Sequence, residues 1–210
     1  MRIFINGQPD LVSPEDNAAF GRIMVELRDF LRQNGLGLVS IAADGAPVTL
    51  EVEQQWQDKP VSEISELQVQ ARGLIDMGTE LLGTIAKAIT ALQTDTAAIV
   101  EALRGGQAKV EEKLKRLFQD FDGVQRGIVM VCNLTGLSLD TLKIDNTPFT
   151  QHVLQMAKTL QEVRNNLRNQ DTYALSETLQ YELQEQFPRW RRAAEILGEH
   201  LANLRSEHDE

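Results

Sequence analysis

The stretch SEISELQVQARGLIDMGTELL, residues 62–82, contains the change of pattern that decides the fold. In its first half, polar residues separate Leu67, Val69 and Ala71, which is the period-two pattern of a half-buried β-strand. From Leu74 onwards, apolar residues recur every three or four positions, as in an amphipathic helix. The sequence therefore predicts a region containing a sheet, followed directly by a helical region.

The first 71 residues predict a small α+β domain. The predicted strands are MRIFI (1–5), QPDLV (8–12), LGLVSIAA (36–43), PVTLEV (47–52) and SEISELQVQA (62–71). Asn6-Gly7 and Asp44-Gly45 separate strand pairs, and both dipeptides tolerate the positive φ angles that a two-residue hairpin turn requires. We therefore expect two hairpins and a last strand.

One helix is predicted between the two hairpins. Ser13–Asp16 supplies a hydroxyl N-cap, a proline at the first helical position and early carboxylates. The apolar stripe that follows contains Phe20, Ile23, Leu27 and Leu31, and Asn34-Gly35 is a helix end. The order strand, strand, helix, strand, strand, strand resembles the β-grasp, or ubiquitin-like, layout. This resemblance covers about a third of the chain and implies a fold only.

The remaining residues, 72–210, predict an antiparallel four-helix bundle. The predicted helices are 74–103, 110–131, a third that starts at Thr147-Pro148 and ends near Leu167, and 172–204, and the stretch 133–148 is predicted to be irregular. Each helix carries an apolar stripe, and the links between them are short, which favours antiparallel neighbours. The predicted domains are thus 1–71, β-grasp-like, and 72–210, a helical bundle.

The fourth helix contains the candidate contact residues for a partner. Its apolar stripe, predicted to be buried, consists of Leu175, Leu179, Leu183, Phe187 and Trp190. Pro188 lacks the N–H group that would bond to the carbonyl of Gln184, so we expect a kink near residues 185–187. Tyr181 lies off the stripe beside Glu182. These two residues are our candidates for contact with a partner protein.

The net charge of −10 limits the classes of partner. Up to Ala71 there are 11 acidic and 5 basic residues, and the rest of the chain has 20 acidic and 16 basic residues, giving −6 and −4. Both parts therefore repel nucleic acid and anionic membranes at long range. The acidic charge is explained by solubility in the first place, and the alternative is a basic partner. Because MRIFINGQPD turns polar after five residues and no apolar run approaches a membrane span, we expect a cytoplasmic protein.

Patterns that bear catalytic or metal chemistry are missing from the sequence. None of the residues three positions before His152, His200 and His208 is acidic, so the Glu-x-x-His pairs of a di-metal bundle are absent. Cys132, the one cysteine, lies in an apolar run and is expected to be a buried, inert thiol. No phosphate-binding glycine loop occurs. We therefore expect no metal, no cofactor and no catalytic residues.

Two segments resemble parts of a group of uncharacterised bacterial proteins with a small sheet followed by helices. They are SEISELQVQARGLIDMGTELL (62–82) and DTYALSETLQYELQEQFPRW (171–190), about a fifth of the chain. The resemblance implies a bacterial protein without enzymatic activity, and it carries no named function.

The leading hypothesis is a protein–protein interaction module, an adaptor or chaperone-like binder, with a homodimer as one of its forms. It depends on apolar residues beyond those of a narrow helix seam, at Leu81-Leu82, Ile99-Val100 and 128–131. The alternative is an enzyme or small-molecule binder with a pocket between the sheet and the bundle. Tyr181, Glu182 and His152 would then supply the polar groups of that pocket.

Overall fold

The structure, a computed structural model, describes residues 1–9, 17–106 and 110–208. The chain divides into two compact units, Met1–Met77 and Gly78–Glu210. The first unit contains a mixed sheet with helices and the second is largely helical, so the predicted α+β class is confirmed.

The described part of the first unit is a five-stranded sheet with one long and one short α-helix. The strands are β1 Arg2–Ile5, β2 Gln8–Pro9, β3 Leu36–Ala43, β4 Ala46–Pro47 and β5 Glu66–Gly73, and the helices are α1 Phe20–Gln33 and α2 Leu50–Gln55. The strand order is β2-β1-β5-β3-β4, in which β1 and β5 are parallel and the other neighbours are antiparallel. The last strand thus returns to the centre of the sheet beside the first, which is the β-grasp arrangement.

The core of the first unit brings the apolar stripe of α1 together with one face of the sheet. Its buried side chains include Phe20, Ile23, Met24, Leu27 and Leu31 from α1 and Ile3, Ile5, Leu67 and Val69 from the sheet. Along β5, buried and exposed residues alternate from Leu67 to Arg72, as the period-two pattern predicted. The polar residues Gln68 and Gln70 therefore lie on the opposite face of the sheet.

The two predicted hairpin turns are confirmed. Asn6 and Gly7 have φ angles of 50° and 80°, and Asp44 and Gly45 have 49° and 82°; positive φ at both central residues is typical of a type I′ turn. The Asn6 side chain also contacts β5, because its Nδ2 donates to the carbonyl of Ala71 (3.0 Å) and its Oδ1 accepts from the same residue's N–H (2.9 Å). The amide group thus continues the pairing of β1 with β5.

The prediction of a strand over PVTLEV (47–52) is wrong after Pro47. There the chain leaves the sheet, and α2 starts at Leu50 because the Thr49 hydroxyl accepts a hydrogen bond from the N–H of Val52 (3.3 Å) as an N-cap. The carboxylate of Glu51 lies in the first turn, where the helix dipole favours negative charge. The capping interactions determine the structure here, and the alternation of apolar residues does not.

Two other predictions fall at least partly outside the described residues. The second predicted strand, 8–12, is a strand at Gln8–Pro9, and the rest of it lies outside the described part. The predicted helix start at Ser13–Asp16 lies outside it altogether. Asn34 ends α1 as predicted, with Gly35 at a φ of 66°.

The helical region contains four long helical stretches over its described residues, as predicted. They are α3 Leu74–Arg104, α4 Glu111–Thr135, α5 Phe149–Arg168, and a fourth stretch composed of α6 Thr172–Glu177, a π-helical segment Thr178–Leu183 and α7 Phe187–His208. The stretch 133–148 is more regular than predicted, since it contains a small hairpin, β6 Lys143–Ile144 and β7 Thr147–Pro148. Asp145 and Asn146 form its turn, with φ angles of 49° and 64°.

Contacts within the bundle confirm the antiparallel arrangement. Gly78, near the start of α3, lies so close to Leu201, near the end of α7, that an added Cβ would be 2.9 Å from a leucine methyl. Further along α3, the carbonyl of Gln93 accepts from Nε2 of Gln184 (2.9 Å), which precedes α7. Hydrogen-bonded pairs between α5 and the fourth stretch also run in opposite directions: Asn166 with Thr178, and Thr159 with Gln186.

The fourth stretch is interrupted where Pro188 predicted a kink. The π-helical segment ends at Leu183, and a turn over residues 184–186 precedes α7. The N–H of Gln184 donates to the carbonyl of Leu179 (3.2 Å), five residues back, which is π-helical spacing. All five residues of the predicted apolar stripe are buried: Leu175, Leu179, Leu183, Phe187 and Trp190.

We expect Pro188→Ala to extend helical structure across the turn with little loss of stability. Pro188 lies in the first turn of α7, where a missing N–H is tolerated, so the free energy of unfolding should change by about 1 kcal/mol or less. Urea denaturation followed by circular dichroism measures this, and backbone chemical shifts of residues 184–186 report the helical geometry. Arg189→Ala is the control, and unfolding of Pro188→Ala would contradict the prediction.

Candidate functional site

Tyr181 and Glu182, the candidate contact residues, lie on the π-helical segment of the bundle. The fourth helical stretch starts at Asp171, whose carboxylate accepts from the N–H of Ala174 (2.9 Å) as an N-cap. Because Leu179 and Leu183 point into the core, Tyr181 points outwards and is 53% exposed. π-Helical turns inside helices are frequent at functional sites, so the position suits a contact residue.

Glu182 interacts with a second carboxyl group, that of Glu162 on α5. Partial desolvation raises the pKa of Glu182, and a hydrogen bond to Glu162 and the charge of that residue raise it further. A carboxyl pair of this kind is most favourable when the two groups share a proton, because two neighbouring carboxylates repel each other. When both groups are ionised, their repulsion therefore lowers the stability of the folded state.

His152 does not converge with the other two residues of the alternative hypothesis. Its ring lies 6.2 Å from that of Phe149, and its Nε2 atom is buried. Glu182 contacts Glu162, which is ten residues, or about 15 Å, further along the same helix. The structure therefore brings Glu182 together with Glu162 and leaves His152 in a different part of the bundle.

The described residues contain no grouping of three or more histidine, cysteine, aspartate or glutamate side chains that could hold a metal ion. Cys132 is buried as predicted, and desolvation raises the pKa of its thiol, which keeps the unreactive protonated form at neutral pH. In the part of the chain that the structure describes, no helix has the length and apolar character of a membrane span.

Most of the apolar residues that motivated the interaction hypothesis are buried inside the bundle. Leu82, Ile99, Val100, Ile128 and Val131 belong to the core, whereas Leu81 and Val129 are half-buried. Of these positions Met130 is exposed. The excess of apolar residues thus reflects a wide packing face, and it does not by itself define a surface for a partner.

The first unit offers a groove that the sequence did not predict. It lies between α1 and α2 and has a volume of about 290 Å³. Val25 of α1 is 57% exposed and Leu50 of α2 is 77% exposed, and both line the groove. Two large aliphatic side chains thus stand in solvent on either side of one concavity. We refer to it below as the α1–α2 groove.

Short contacts hold the two walls of the α1–α2 groove in place. Arg28 of α1 makes a bidentate pair with Glu53 of α2, both N–O distances being 2.7 Å, and this hydrogen bonding raises the pKa of Arg28. At the other end, the N–H of Gly21 donates to the carbonyl of Gln57 (3.0 Å). A Cβ atom at Gly21 would lie 2.9 Å from that oxygen, so glycine is needed for the approach. The groove is therefore preorganised.

One signal in the sequence could have revealed the groove. Val25 lies off the stripe formed by Phe20, Ile23, Leu27 and Leu31, so it could have been recognised as an exposed apolar residue. Leu50 could not, because its alternation with Val48 and Val52 in PVTLEV is typical of the buried face of a strand. Its exposure follows from the start of α2, which depends on the Thr49 cap.

Comparison with known proteins gives a match in the first unit. A family model described as the TP0873 N-terminal domain matches residues 1–72. This range contains β1 to β4, all of β5 except its last residue, and the α1–α2 groove, and it ends two residues before α3 begins. No curated protein and no solved structure matches the chain.

We expect Glu182→Gln to stabilise the protein at neutral pH. Because the pKa of Glu182 is raised in the folded state, its contribution to stability is present below the ordinary glutamate pKa, about 4.3, and is lost as the pH rises through the raised value. Glutamine does not ionise, so the substitution removes this loss of stability. The gain should be about 0.5 kcal/mol at pH 7, since solvent screens the pair, and it should disappear towards pH 3.

Urea denaturation of both proteins at several pH values measures this difference. Glu185→Gln is the matched control, because it makes the same change of charge three residues further along. A Glu182→Gln variant that is less stable than the wild type at pH 7 would show that the repulsion between Glu162 and Glu182 is not significant.

Proposed function

We propose that the protein is a non-enzymatic interaction module, an adaptor or chaperone-like binder, and that the α1–α2 groove of its first unit receives a partner polypeptide. The observation that carries this proposal is the exposure of Val25 and Leu50 on either side of a preorganised concavity. Exposed aliphatic pairs of this kind lose water when a partner's apolar side chain enters between them.

The size of the α1–α2 groove favours a side chain of a polypeptide over a drug-sized ligand. Pockets for small molecules usually enclose about 300–1,000 Å³ and bury most of the ligand. The α1–α2 groove is at the lower limit of that range and is open to solvent. One leucine or phenylalanine side chain fits such a volume, and the rest of the partner would lie across the rims. Because Arg28 and Glu53 already fix the walls, little ordering is needed on binding.

The charge of the chain indicates the chemistry of the partner residues that flank the side chain in the groove. The first 71 residues carry a net charge of −6, and the whole chain carries −10. Glu51 of α2 and Asp58, just after that helix, are exposed acidic residues beside the lining residues Leu50 and Gln57. We therefore propose a partner segment with an aliphatic or aromatic anchor and basic flanking residues, which electrostatic attraction would steer towards the groove.

Tyr181 and Glu182 remain our candidates for a second contact, on the bundle. An exposed tyrosine with a fixed backbone is a frequent interface residue, because it buries a large area at little entropic cost. Self-association through the bundle is a further form of the proposed function. We also propose a cytoplasmic location and kinship with the bacterial proteins that the two quoted segments resemble.

The test is capture of a partner by the tagged full-length protein from a lysate of its native cells, with quantification by mass spectrometry. We expect Leu50→Ser to reduce the recovery of the partner at least tenfold, as expected for an anchoring contact of about 1.4 kcal/mol or more. The fold should be unaffected because Leu50 is mostly exposed.

Val39→Ser is the matched control, since Val39 is also an exposed aliphatic residue of the first unit but does not line the groove. It should recover the partner as the wild type does. Tyr181→Ala in the same series tests the second contact. Equal recovery by the wild type and Leu50→Ser would show that the α1–α2 groove is not the binding site.

A further inference from the structure

Three buried polar atoms in the bundle lack a hydrogen-bond partner among the described residues. They are Nε2 of His152, Oε1 of Gln186 and Nε1 of Trp190. Gln186 is 3% exposed and Trp190 is 1% exposed, so bulk water does not reach these two side chains. An unpaired polar atom in such a place costs about 1–3 kcal/mol, and most buried polar groups in proteins are therefore paired with protein or with ordered water.

The side chains that carry these atoms lie along one seam between α5 and the start of α7. Gln186 and Trp190 are four residues apart, and the N–H of Trp190 donates to the carbonyl of Gln186 (3.2 Å), so their side chains leave the same helix face. The Gln186 amide reaches α5, because its Nε2 donates to the hydroxyl of Thr159 (2.7 Å). Both Trp190 and His152 lie beside the ring of Phe149, with ring centroids 4.9 and 6.2 Å away.

The break in the fourth helical stretch is what places Gln186 in this seam. Gln186 is the last residue of the turn 184–186, and its N–H donates to the carbonyl of Leu183 (3.1 Å). A polar residue is thus buried where the helix is interrupted, between the apolar residues Leu183 and Phe187. A leucine in this position would fill a core of this kind without requiring any partner. Thr159 and the carbonyl of Glu182 already accept from the Nε2 of Gln186, so the atom that still needs a partner is its Oε1.

The chemistry of the unpaired atoms defines the group that they can bind. Trp190 Nε1 is a donor only, and Gln186 Oε1 is an acceptor only. Nε2 of His152 is an acceptor in the tautomer that carries its proton on Nδ1. A molecule bound between Trp190 and Gln186 must therefore accept one hydrogen bond and donate another, and it must be very small because both side chains are almost fully buried. His152 precedes Thr159 by seven residues, or about 10 Å of helix, so it does not bond to the same molecule. Water meets each of these requirements, and buried waters typically make about three hydrogen bonds.

We propose that the seam between α5 and α7 is a site for internal water, which accepts from Trp190 Nε1 and donates to Gln186 Oε1. The site is a fixed part of the bundle interior, and it accounts for a buried glutamine at the helix break. It is independent of the partner-binding role of the first unit.

A competing arrangement is a weak hydrogen bond from the indole to an aromatic ring. The rings of Phe121 and Phe149 meet that of Trp190 edge to face, at 4.6 and 4.9 Å, so the N–H could point at a ring face. The two arrangements differ in a measurable way. A water-bound indole proton exchanges magnetisation with a long-lived water molecule, whereas a proton above a ring is shifted upfield and shows no such transfer.

The test uses the ¹⁵N-labelled full-length protein and water-selective nuclear Overhauser spectra of its two indole N–H groups. Trp56→Phe identifies the Trp190 signal, because these are the only tryptophans in the chain. We expect a cross-peak from Trp190 Nε1–H to water, with the sign of a long-lived internal molecule. An upfield-shifted indole proton without this cross-peak in the wild type would overturn the proposal, and this result does not depend on any core variant.

Gln186→Met then tests the second partner of the water. Methionine has a similar length but no amide, so we expect the cross-peak to be lost. Gln184→Met is the matched control, since Gln184 bonds to the carbonyl of Gln93 and not to the seam, and it should keep the cross-peak. An unchanged cross-peak in folded Gln186→Met would overturn the assignment of Gln186 as a water ligand.

Discussion

Strand β5 pairs with β1 on one side and with β3 on the other, and the first unit depends on this central position. Side chains fix the strand near both ends. The Asp44 carboxylate accepts from the N–H groups of Ser65 and Glu66 (2.9–3.3 Å) where β5 begins, and the Asn6 amide pairs with Ala71 near its other end. With β5 held in the middle, the apolar face of the sheet meets the stripe of α1, and α1 in turn forms one wall of the groove.

Much of this architecture could be predicted because it depends on local chemistry. Asn6-Gly7 and Asp44-Gly45 form turns because these residue types tolerate positive φ angles. The apolar stripes identify the helices. The stretch after Pro47 could not be predicted in the same way, because its alternation fits a strand while one threonine cap starts a helix. One wall of the groove depends on that helix, so Val25 could be recognised in the sequence as an exposed apolar residue but the complete groove could not. The proposed water site could not be predicted either, because only the packed structure shows which buried polar atoms remain unpaired.

The structure changes the basis of the functional proposal. The wide apolar faces of the bundle helices are mostly buried in the core of the bundle, as Ile99 and Ile128 illustrate. A protein can bury such faces and still expose a few aliphatic residues where two rigid helices meet. Val25 and Leu50 are in this situation, and the ion pair between Arg28 and Glu53 keeps their separation fixed. Recognition in this account therefore depends on the first unit more than on the bundle.

Site-specific photo-crosslinking in living cells tests the central claim most directly. A benzophenone amino acid at position 54 places the reactive group in the α1–α2 groove and leaves Val25 and Leu50 in place, because Gln54 is an exposed lining residue. The same group at position 39 reports an exposed site of the first unit outside the groove. The account predicts a covalent adduct of one defined mass from position 54 and none of that mass from position 39. The same adducts from both positions, or none from position 54, would contradict it.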